Sequence, residues 1–140
     1  TLSPTMQRLL GGLQAVHAMA NAETTSFGRE FTGKTDVVAA RSATHPLVIT
    51  HPDSGRKALF VNRGYTAHIV GMNPSESEAL LGFLFQHSTA PELVYRHSWR
   101  PNDLVIWDNR CTAHYAIPDY KGVGERYLHR TSVKGDRPMQ

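Results

Sequence analysis

Two short runs rich in β-forming residues, HPLVIT (45–50) and RKALFVN (56–62), are separated by PDSG (52–55). Proline presets the backbone for a tight turn and glycine closes it. A chain with this punctuation has little choice but an antiparallel hairpin. The same stretch poses a chemical question, because His51-Pro52-Asp53 has the H-x-D spacing that opens a 2-His-1-carboxylate iron site. Pro52, Ser54 and Gly55 make Asp53 a turn residue rather than a strand-borne ligand, and a hairpin tip sits at the rim of a sheet. The residues therefore favour a tip over a ligand pair.

The rest of the chain reads as strands flanked by two helices. Ser3 and Pro4 open a helix predicted over 3–20, with Met6, Leu9, Leu10, Leu13, Val16 and Met19 at helical spacing despite Gly11 and Gly12. His17 lies near its apolar stripe and reads as a packing or surface residue. Residues 21–44 show no period and read as a long flexible loop, of the kind that serves as a lid or stays disordered. TAHIVGM (66–72) is a short extended piece. NPSESEALLGFLFQHST (73–89) predicts a second helix, with Ser75 and Glu78 as a capping box. LVYRHSW (93–99), LVIWD (104–108) and ERYLHRTSVKG (125–135) predict further strands, the first two joined by an RPND turn. The expected class is mainly β with flanking helices. Five or six strands fall short of the eight in a double-sheet jelly roll, so one domain over residues 1–140 reads as an incomplete part of one.

Composition narrows the function. No apolar run approaches the roughly 18–20 residues of a membrane span, and the start lacks a secretory pattern. Cys111 is the lone cysteine, so no intrachain disulfide forms, which fits a reducing, cytoplasmic setting. Charge is interspersed, at a net +3, without a basic block, which argues against nucleic acid as a partner. Eight histidines justify asking about metal.

Three residues carry the chemistry. His114, in NRCTAHYA, is open to two readings, a metal ligand or a structural imidazole. Arg126 and Arg130 lie four apart on a predicted strand, so they share a side and stand roughly 13 Å apart. They either hold two separate anions in planar forks or form a solvated face paired with Asp119, Glu125 or Asp136.

WDNRCTAHYAIPDY followed by ERYLHRTSVKGDRP resembles the C-terminal signature of the iron(II)/2-oxoglutarate-dependent TauD/TfdA dioxygenase family. THPDSGRKALFVN, NPSESEALLGFLFQH and WRPNDLVIWDNR resemble it in the same order, and LSPTMQRLLGGLQAVHA more weakly. The resemblance implies a double-stranded β-helix and assigns roles. His114 matches the distal histidine of the iron triad, Arg126 the anchor of the 2-oxoglutarate carboxylate, and Arg130 the holder of the substrate anion. Tyr65 matches an aromatic position lining the substrate pocket, usually Phe. The loop around Lys121–Gly124 is one residue longer than the family pattern.

The implied reaction couples decarboxylation of 2-oxoglutarate to hydroxylation of taurine or a related small sulfonate next to sulfur, with release of sulfite. Alkylsulfate or aryloxyalkanoate oxidation is the alternative within the family, and a non-catalytic anion-binding β-sandwich the alternative outside it. The family's own H-x-D lies upstream of the segments matched here, so the 140 residues alone are expected to be inactive. The resemblance also implies a homodimer or homotetramer.

Overall fold

A computed structural model describes residues 1–18, 42–120 and 122–140. Most of the proposed 21–44 loop therefore lies outside the described residues. Helix α1 spans Pro4–Leu10, with the Ser3 hydroxyl accepting from the Met6 N–H. It ends far short of the predicted residue 20. Gly12 takes φ +85°, a conformation that a helix cannot continue through, and Gln14–Ala18 forms strand β1 instead. The apolar residues at 13 and 16 thus serve two periods, and the glycine pair decides between them.

Strand β2 (Ser42–Pro46) and β5 (Thr66–Ile69) flank β1 in an antiparallel sheet of order β2-β1-β5. The register sets Ala15 opposite His45 on one side and Ile69 on the other. Strands β3 (Val48–Thr50) and β4 (Lys57–Leu59) form the hairpin read from the sequence, with Thr50 opposite Lys57 and Gly55 at φ +66° in the turn. HPLVIT is two strands rather than one because the chain changes sheets at Leu47. Its N–H donates to Leu13 O at 2.9 Å, while its own carbonyl accepts from the Phe60 N–H at 2.8 Å. A fully buried side chain fixes that corner.

Helix α2 spans Pro74–Ser88. Its capping box is Asn73 with Glu76, two residues earlier than the Ser75–Glu78 pair expected, since Pro74 occupies the first helical position and leaves Asn73 as the cap. Ser77 is buried and accepts from the Ile69 N–H at 2.8 Å, which ties α2 to β5. The core is Leu10, Ala15, Leu47, Ile69, Leu81 and Leu84, where both helices, the three-stranded sheet and the corner meet.

Beyond a 3-10 turn at Pro91–Leu93 the chain forms no further helix or strand among the described residues. The strands predicted at 93–99, 104–108 and 125–135 are not formed, although the turn between the first two is, with Asn102 at φ 70°. Their alternation is real, but no strand among the described residues lies beside them, and Leu104 and Ile106 are 85% and 86% exposed. The segment is anchored at its end, where Met139 O accepts from the Thr50 N–H at 2.9 Å. The described architecture is mainly β, with antiparallel sheets and two α-helices. No described helix is long and apolar enough to cross a membrane.

Candidate functional site

The tip of the β3–β4 hairpin reaches the turn at Asp108–Thr112. His51 Nδ1 accepts from the Ser54 N–H at 3.2 Å, so the proton is on Nε2, which donates to Asp108 Oδ2 at 2.9 Å. Arg110 grips the same carboxylate with Nε and one terminal nitrogen, at 2.6–3.0 Å, and extends that terminal nitrogen to Asp53 at 2.8 Å. Asp108 thereby sits well below the usual carboxylate range, held chiefly by Arg110 and next by His51. Its carbonyl accepts from the N–H groups of Cys111 and Thr112 and from the Thr112 hydroxyl.

This network bears on the H-x-D question. Both nitrogens of His51 are in use, and Asp53 is committed to an arginine. The same holds for the cluster of His51, Asp108 and Cys111, whose donor atoms lie within 4.8 Å of one another. A cation there would have to displace Arg110 from Asp108.

His114 lies two residues past this turn, its ring 4.7 Å from that of Trp107. Although His114 is exposed, partial desolvation of its ring, and secondarily the charge of Arg130, lower its pKa, which favours the neutral imidazole at pH 7. Arg126 lies over the Tyr120 ring at 5.5 Å. The structure thus brings Arg130 within electrostatic reach of His114 and leaves Arg126 on an aromatic face. Tyr65 is 41% exposed in the turn before β5, where its carbonyl accepts from the Ala18 N–H; no described hydrogen bond or ring contact joins it to the other three. A cleft of about 650 Å³, between β5 and α2, is lined by Arg63, Met72 and Phe85 among others and holds none of the four.

Residues 1–132 match the family model described as taurine catabolism dioxygenase TauD, TfdA family. The chain belongs to the TauD/TfdA family. A 2,4-dichlorophenoxyacetate dioxygenase of Burkholderia, described as alpha-ketoglutarate-dependent, is 45% identical over 66% of this chain and 30% of its own. An alpha-ketoglutarate-dependent sulfonate dioxygenase of Saccharomyces cerevisiae is 33% identical over 99% of this chain and 33% of its own. The crystal structure of a taurine dioxygenase from Burkholderia xenovorans superposes with a TM-score of 0.56 at 34% identity, covering 71% of this chain and 30% of that one. The chain thus spans about a third of the length of these TauD/TfdA relatives.

Iron in a TauD/TfdA site asks for two imidazoles and a carboxylate on one face. The neutral ring of His114 suits one of those positions. Among the described residues, the one group of three or more donors close enough to hold an ion does not include it. Asp108 and Arg110 are the site residues that sequence reasoning passed over; the signal was there, an acid and an arginine two apart inside WDNRC.

Proposed function

We propose that these residues form the C-terminal part of an iron(II)- and 2-oxoglutarate-dependent dioxygenase that hydroxylates taurine or a related small sulfonate next to sulfur and releases sulfite. The observation that carries this is the family-model match over residues 1–132, a span that contains His114, Arg126 and Arg130. On this reading the described sheets are part of a jelly roll, and the H-x-D that completes the metal site belongs to chain outside these 140 residues.

His114 would hold the metal, and iron would supply the oxygen-activating chemistry. The neutral imidazole offers its lone pair without first losing a proton at pH 7. The planar fork of Arg126 binds and orients the far carboxylate of 2-oxoglutarate. Arg130 holds the substrate anion, and its charge already acts at the His114 ring. Tyr65 lines the substrate side. The ligands are small anions, and assembly as a dimer or tetramer is checked by light scattering.

Arg130 accepts sulfonate, sulfate or carboxylate equally well, and the 45%-identical relative is named for an aryloxyalkanoate. Succinate formation by the intact polypeptide, compared across taurine, an alkyl sulfate and an aryloxyacetate, decides the substrate class. No turnover with any sulfonate removes the first reading. In the same protein Arg126→Ala is expected to weaken 2-oxoglutarate binding at least tenfold, the worth of about 1.5–3 kcal/mol for hydrogen bonds to a charged group. Unchanged affinity removes the role.

A further inference from the structure

We infer that the hairpin tip is a positioning device for His114, in which His51 and Asp53 lock the 108–112 turn that aims the imidazole. The inference rests on the reading of His114 as a metal ligand. Three observations converge on it. Among the described residues the turn has no strand on either side to hold it. Its external side-chain ties among the described residues are the two from the tip, His51 to Asp108 and Asp53 to Arg110. And the turn meets His114 from two directions. Trp107, immediately before Asp108, packs on the His114 ring at 4.7 Å, with its indole N–H fixed on Asn109 at 2.9 Å. Thr112, two residues before His114, is pinned to the Asp108 carbonyl by both its N–H and its hydroxyl.

The chemistry of the tip suits this role better than ligation. The hydrogen bond from Ser54 commits His51 to donating from Nε2, and the acceptor on offer is a carboxylate that is also clasped by a guanidinium. Each member is satisfied by another, so no tip side chain is left with an uncommitted partner for a metal. A metal ligand needs the opposite, an uncommitted lone pair, and the His114 ring has no hydrogen-bond partner among the described residues. The H-x-D spacing is thus put to use one step away from the metal, on the backbone that carries the ligand.

NMR of the 140-residue chain tests both halves. Cross-relaxation between the Trp107 indole and the His114 ring is expected in the wild type. It should disappear in His51→Ala and return in His51→Gln, whose side-chain amide still donates to Asp108. Unchanged Ile49 and Leu59 methyl shifts show that the hairpin is intact. Titration with Mn(II) is expected to broaden the Trp107 indole N–H through His114, with the midpoint about tenfold higher in His51→Ala, at the low end of the effects of outer partners on metal affinity. Cross-relaxation and midpoint both unaffected by His51→Ala overturn the positioning role. Broadening that survives His114→Ala overturns His114 as the ligand instead. Should that surviving broadening vanish in Cys111→Ser, the ion sits on His51, Asp108 and Cys111, and the tip is a ligand set after all.

Discussion

The chain contains two kinds of alternating apolar sequence with opposite fates. Up to Ser88, the apolar residues of β1 and β5 meet partners within the chain, and Leu10, Leu47, Ile69 and Leu84 lose all contact with water. From Val94 onward a comparable alternation meets none among the described residues, and Leu104, Ile106, Tyr127 and Val133 stay more than 80% exposed. Propensity is similar on the two sides. What differs is the neighbour: a strand is stabilised by its ladder and by a face to bury, and neither is intrinsic to the strand.

Mutation should expose the contrast most sharply in the core. Leu84→Ala empties a fully buried site on α2 and is expected to cost about 2–5 kcal/mol in urea unfolding. Asn73→Ala removes the reciprocal cap of the same helix and should cost about 1 kcal/mol, read in the same experiment. Acid should act on the two regions at different pH. His17 and His45 are held neutral by burial, with rings 5.4 Å apart and the ring nitrogens His17 Nε2 and His45 Nδ1 without a partner among the described residues. The unfolded imidazoles protonate near 6.5 while the folded ones resist, so their stabilisation is complete above about 6.5 and is lost as pH falls through the folded values. Asp108 is shifted the same way as an acid, so its turn should persist until well below about 3.9. Circular dichroism for the sheet and Trp107 emission for the turn, followed over one acid titration, should lose signal in that order. At the small end, Ile106→Ala should change unfolding free energy by less than about 0.5 kcal/mol. A core-sized effect there would show that the C-terminal run packs in solution.

Much of the fold was legible. PDSG announced the hairpin, and the apolar face of 80–85 announced α2, because turn chemistry and helical period are local. The early end of α1 was harder to see, since Leu13 and Val16 satisfy either period and only the left-handed backbone at Gly12 separates them. The corner at Leu47 was invisible, because nothing local distinguishes one six-residue strand from two that change sheets. The strands after Val94 were read from a pattern whose partners no local rule supplies. At the site, His51 and Asp53 attracted notice for their spacing, and turn chemistry read them as a hairpin tip, which is where the structure places them. Their true partners lie 57 positions away, a distance that periodicity cannot bridge.

That separation has a consequence for how the molecule assembles. His51 to Asp108 and Asp53 to Arg110 each close a loop of the same 57 residues. The entropy of closure is spent on whichever forms first, and the second then forms at high effective concentration. The tip and the turn therefore engage as a chelate: late in folding, nearly all or none, and with double substitutions that fall short of the sum of the singles.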